Sequence, residues 1–185
     1  MQSPVPHRAR ALGLAAALLA GAGAASAHVT LLEPAALANT SYRAALRVGH
    51  GCEGRPTTGL SVQIPSGLRG AQPMPKAGWT ITLRRATLDK PYLDHGKTVT
   101  EDVVEIAWTA ASREAALPDA YYDEFVFRGQ LGDQAGPMWF KVVQTCDPLA
   151  NRWVEVPASG TSTQGLKSPA ALLEVIPSGS AAHQH

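Results

Sequence analysis

A histidine that follows an Ala-x-Ala triplet has more chemistry open to it than a histidine elsewhere. Here Ala25-Ser26-Ala27 precedes His28. The triplet ends a segment that opens with His7, Arg8 and Arg10 and runs through the apolar stretch Ala11 to Ala22. That is the order of an export signal: a basic start, a short apolar run and a small-residue cleavage site. Cleavage after Ala27 would make His28 the first residue of the mature chain. Its free α-amine and its Nδ1 could then close a six-membered chelate on one metal ion. Both nitrogens lose their protons to a metal near neutral pH, because their ordinary pKa values are about 8 and about 6.5. Two nitrogens with a further oxygen or nitrogen suit tetragonal Cu(II).

Other metal chemistries fit less well. The amino-terminal copper motif needs a histidine at mature position three, where Thr30 stands. A blue-copper site needs Cys, His and Met close together on one loop. Asp147 to Trp153 after Cys146 holds neither His nor Met. Clustered Cys and His of the zinc type are missing. His95 sits in the hairpin-like turn Leu93 to Lys97, and His183 and His185 offer a weak second site on the tail. There is no G-x-S-x-G elbow and no H-E-x-x-H. The two cysteines, Cys52 and Cys146, are expected to pair in an oxidising compartment, with thiolate copper ligation as the alternative.

The elements that must position these residues read as strands. Expected strands are Val29–Leu32, Ser41–Val48, Gly59–Ile64, Trp79–Arg85, Val103–Trp108, Glu124–Gly129, Met138–Thr145, Arg152–Val156 and Ala171–Ile176. Apolar residues alternate in most of them, as at Tyr42, Ala44, Leu46 and Val48. Gly/Pro-rich turns separate them, and Ala110–Leu117 has room for one helical turn. Nine short strands predict an all-β, antiparallel sandwich with Greek-key connections. Trp79 and Trp108 read as core or edge aromatics. Asp123 and Glu124 read as structural, since neighbours on a strand face opposite ways.

Composition sets the outer limits. The 185 residues are 45% hydrophobic and 17% charged, with a formal net charge of +1. This excludes a disordered chain and gives no footprint for nucleic acid. The apolar run before Ala27 is about a dozen residues, well short of the roughly 20 that span a bilayer. His28 is not a cysteine, so a lipid anchor is not expected, and Arg8 and Arg10 are not adjacent, so the twin-arginine route is not indicated. The expected organisation is a signal peptide over 1–27, one domain over 28–176 and a frayed tail over 177–185.

Several segments together carry a family resemblance. They are His28-Val29-Thr30, Gly51-Cys52-Glu53, Pro75-Lys76-Ala77-Gly78-Trp79 and Tyr122-Asp123-Glu124-Phe125. Val143-Gln144-Thr145-Cys146 and Arg152-Trp153-Val154-Glu155-Val156-Pro157 follow in order. The chain resembles the YcnI-like family, once classed as a domain of unknown function (DUF1775) and associated with copper binding. The resemblance implies a cupredoxin-like or immunoglobulin-like sandwich, exported to the periplasm or extracellular cell envelope. It implies Cu(II) bound by His28, with Glu53 as the carboxylate and Trp153 beside the metal. The segment Gly49 to Glu53 is longer than in the simplest members, so His50 is a competing ligand.

The resulting expectation is a non-enzymatic copper chaperone or store that passes copper to a partner protein or a membrane copper transporter. The alternatives are a histidine-brace copper monooxygenase, which would draw its second ligand from His50, and a metal-free interaction domain.

Overall fold

A computed structural model describes residues 28–179 of the chain. The proposed signal peptide and His183 and His185 lie outside the described residues.

Three sheets form the sandwich. The first contains β1 (Thr30–Leu31), β3 (Ser41–Val48), β8 (Asp123–Leu131) and β5 (Leu68–Pro73), in the order β1-β3-β8-β5. The second contains β11 (Leu149–Trp153), β10 (Val142–Cys146), β4 (Gly59–Gln63), β7 (Lys97–Ala110) and β6 (Trp79–Asp94), in that order. A small third sheet is formed by β2 (Ala35–Leu37), β12 (Ala171–Ile176) and β9 (Gly136–Phe140). All pairings are antiparallel except β2 with β12.

The alternation seen in the sequence is the alternation of burial. On β3, Tyr42, Ala44, Leu46 and Val48 are buried, while Ser41 and Arg43 are exposed. The neighbouring β8 adds Phe125 and Phe127, and the second sheet supplies Leu60 and Val62 from β4 and Ile106 and Trp108 from β7. The aromatic rings form a continuous row. Trp79 meets Phe125 edge-on at 5.0 Å, Phe125 meets Trp108 at 5.7 Å, and Phe127 meets Phe140 at 5.8 Å. Such pairs contribute about 0.5 to 1.5 kcal/mol each beyond the area they bury.

Twelve strands replace the nine expected. The segment Met138–Thr145 breaks at Lys141 into β9 and β10, which belong to different sheets. β2 and β5 lack the alternation that marks a half-buried strand, because each is short or bulged. β6 runs on from Arg85 to Asp94, where its residues are mostly exposed and periodicity carries no signal. Pro91 fits there because β6 is the edge of its sheet. Trp153 closes β11 instead of heading a strand. No helix occurs among the described residues; Ala110–Leu117 makes turns, with an Ala116 N–H to Arg113 carbonyl bond.

Cys52 and Cys146 are joined in a disulfide, with Cα atoms 5.7 Å apart across 94 positions. The bridge ties the 49–55 loop to the end of β10. Chain entropy for so long a loop gives an upper figure of about 4 to 5 kcal/mol. Reduction, or Cys52→Ser with Cys146→Ser, should therefore shift the urea midpoint clearly downward. An unchanged midpoint would show that sheet contacts alone hold the loop.

Candidate metal centre

Strand register brings His28 to the 49–55 loop. β1 runs antiparallel to β3, with Thr30 opposite Arg47 and Leu31 opposite Leu46. Carried back two residues, that register sets His28 beside Gly49. Val29 is buried at 2% exposure and fixes the chain immediately after His28. The His28 ring lies against the Trp153 indole, with centroids 5.1 Å apart and planes inclined by 56°.

The loop itself is tightly specified. Cys52 and Arg55 exchange backbone hydrogen bonds of 3.2 and 3.0 Å. Between them, Glu53 (φ 51°) and Gly54 (φ 79°) both take the left-handed conformation, the pattern of a type I′ turn. A Cβ on Gly51 would meet the Arg55 carbonyl oxygen at 1.7 Å, so this position needs glycine. The Gly51 N–H donates to Asp119 Oδ1 at 2.9 Å.

Gln144 joins the loop to the indole. It is 1% exposed, on the inward face of β10 between Val142 and Cys146. Its Nε2 donates to the His50 carbonyl at 2.7 Å and to Thr57 Oγ1 at 2.8 Å. Its Oε1 accepts from Trp153 Nε1 at 3.5 Å. In the sequence Gln144 stands out only as part of the Val143-Gln144-Thr145-Cys146 motif and has no role of its own, although an amide on the apolar face of an alternating strand is a visible signal. Thr57 and Asp119 carried no such signal.

His50 bonds within its own loop. Its Nδ1 lies 2.6 Å from the Gly51 carbonyl oxygen, which can only accept, so Nδ1 is the donor in this contact. A neutral ring donating from Nδ1 presents its lone pair at Nε2, the arrangement common in metal-bound histidines.

The structure thus sets His28 on Trp153 and links the His50 and Glu53 loop to Trp153 through Gln144. Among the described residues, no three His, Cys, Asp or Glu side chains gather as a metal-binding group. His28, His50 and Glu53 are therefore not assembled into one donor set. In the 185-residue chain the His28 nitrogen is an amide to Ala27, so an amine donor would exist there only in a chain cut after Ala27.

The remaining candidates lie apart from this loop or serve the fold. His95, at the tip of the β6–β7 hairpin, is 95% exposed and 3.7 Å from Asp94. Trp108 is core, and Trp79 packs at the edge of that core with its ring against Phe125. Asp123 pairs with Lys76 at 2.6 Å, and Glu124 accepts from the Tyr122 hydroxyl.

Two predictions follow from this geometry. Gln144→Leu strands the His50 carbonyl, the Thr57 hydroxyl and the indole N–H in a buried place. It should cost about 2 to 4 kcal/mol in urea unfolding. Glu53→Asn should leave stability unchanged or raise it by up to about 1 kcal/mol, since Asn tolerates positive φ better than Glu. A clear loss in the Asn variant would mean that the Glu53 side chain itself supports the turn.

Comparison with known proteins addresses fold and family. A crystal structure described as an uncharacterized protein from Nocardia farcinica with an immunoglobulin-like fold superposes at a TM-score of 0.61. It is 24% identical and covers 80% of this chain and 97% of that one. Such a likeness establishes the immunoglobulin-like sandwich. A comparison with curated proteins returns no match. The model of the family described as "Domain of unknown function (DUF1775)" matches residues 28–175, and the chain belongs to that family.

Proposed function

We propose that the protein is exported, is cut after Ala27, and binds Cu(II) at the new amino-terminal His28. The observation that carries this reading is the His28 ring against Trp153, at the residue that directly follows Ala25-Ser26-Ala27. Cleavage there creates an amine and an imidazole on one residue, on a rigid base provided by buried Val29. Trp153 would shield one side of the ion from water and offer its π face to the cation. Glu53 would supply a hard oxygen and one negative charge. Its place in the turn supports a role, because Asn is the ordinary residue there and a strained Glu invites a functional reason. The disulfide accords with the periplasm or the extracellular cell envelope.

The role we assign is copper trafficking or storage, with transfer to a partner protein or a membrane copper transporter. It requires no substrate chemistry. His50 favours a second form of the same site, since a neutral ring donating from Nδ1 leaves Nε2 available. That form would hold copper between two histidines, the ligand set a monooxygenase would need.

The test is a Cu(II) titration followed by EPR on protein beginning at His28 and on protein retaining Ala27. One equivalent with a tetragonal signal should appear in the first and collapse in the second. Glu53→Asn should weaken binding at least tenfold without loss of stability, whereas a decisive loss with His50→Ala instead would select the two-histidine form. Equal, weak binding by both proteins would sink the proposal and favour a metal-free interaction domain.

A further inference from the structure

The far part of the β6–β7 hairpin meets β5, with Tyr92 under Arg69 and Asp102 bonded to Gly70. Its pairing is regular to Thr87↔Glu101, slips, and resumes at Tyr92↔Val99. Asp102 pins the arm in place. This carboxylate is 6% exposed, and among the described residues no ion pair takes it. Its Oδ2 accepts from the Tyr92 hydroxyl at 2.7 Å and the Gly70 N–H at 2.8 Å, while Oδ1 accepts from the Val103 N–H at 2.7 Å. Burial and then the Asp102 hydrogen bond push the Tyr92 hydroxyl pKa up to about 12, so it stays a donor. Gly70, at φ 59°, makes the bulge of β5 that receives the arm.

A cleft of about 570 Å³ is left between the arm and the sheet. Arg69 reaches into it, held over the Tyr92 ring at 5.0 Å. Arg128 lines the other side, and its Nε and Nη2 both donate to Gln72 Oε1, at 3.1 and 2.9 Å. That neutral oxygen leaves the guanidinium charge uncompensated. Arg128 also stands directly opposite Arg43 in the β3–β8 register, a like-charge pair that costs a sheet stability. Among the described residues, no ion pair takes Arg43, Arg69 or Arg128. Asp94 is the one acid lining the cleft, and it sits 3.7 Å from His95 Nε2. A smaller cleft, edged by Arg43 and bearing Met74 and Val126, shares Gln72 and Arg128 with the first.

We propose that this cleft binds a multiply charged oxyanion, phosphoryl or carboxylate, with Arg69 and Arg128 as its donors. Arginine presents a planar fork that matches both groups, and a concave positive site concentrates anions. A bound anion also removes the repulsion across Arg43 and Arg128. The cleft lies at the Ser41 end of β3, whereas the His28 loop adjoins its Val48 end, so the two sites are separate and this inference stands without copper.

The test is calorimetric titration of the metal-free protein with tripolyphosphate and, separately, citrate, at ionic strength fixed with sodium chloride. Saturable one-to-one binding of at least one is expected; the one that binds tells phosphoryl from carboxylate ligands. Arg69→Gln and Arg128→Gln should each weaken it at least tenfold. Arg84→Gln, which alters the exposed Arg84–Glu105 pair elsewhere, should leave it unchanged. Without ligand, Arg128→Gln should hold or raise the melting temperature, since it removes a like-charge neighbour. Neither anion binding above chloride, or equal binding by the Arg128 variant, would overturn the proposal.

Discussion

A loop with little sheet of its own keeps one shape only if something ties it to the framework. For the 49–55 loop the ties are the Cys52–Cys146 bond and the amide of Gln144, two positions apart on the inward face of β10. The covalent bond limits how far the loop can move. The amide fixes its orientation, since one side chain bonds the His50 carbonyl, the Thr57 hydroxyl and the Trp153 indole. A buried amide without those partners would cost free energy. The loop and the indole are therefore held through one side chain, and the His28 ring rests on that indole.

This dependence explains why β10 and β11 matter more to the site than their length suggests. They form a short hairpin at the edge of the larger sheet, from Val142↔Trp153 to Cys146↔Leu149. It places Trp153 across from a strand whose other residues carry the tether. The first sheet makes the complementary delivery, since β1 on β3 carries His28 toward Gly49. The candidate centre thus sits where the first strand of one sheet meets the last hairpin of the other. The row of rings from Trp79 to Phe140 holds the two sheets in that relation.

The outer face of the first sheet obeys a different constraint. A buried charge needs a counter-charge or a full set of hydrogen bonds, but an exposed sheet face can carry like charges at a modest cost. Arg43 and Arg128 show that cost being borne, while the β6–β7 arm builds a wall beside them. The buried Asp102 is spent on hydrogen bonds to Tyr92 and Gly70, so it fixes the wall without neutralising the arginines.

The sequence by itself determined the all-β class, most strand positions, the cysteine pair and the family. Each rests on local or compositional signals: alternation along β3 and β8, two cysteines with no third, and ordered short motifs. It also singled out His28 and Trp153, which the fold brings into ring contact. Tertiary structure alone decided the rest. Splitting of Met138–Thr145 at Lys141 depends on which sheet each half joins, and sheet membership is a long-range choice. The extension of β6 to Asp94 is stabilised by Asp102 beneath Tyr92, not by periodicity. The roles of Gln144 and Arg128 come from partners distant in the chain: His50, 94 positions before Gln144, and Gln72, 56 before Arg128. Burial of a polar group is worth its cost only when those partners arrive, and a linear pattern cannot show that they do.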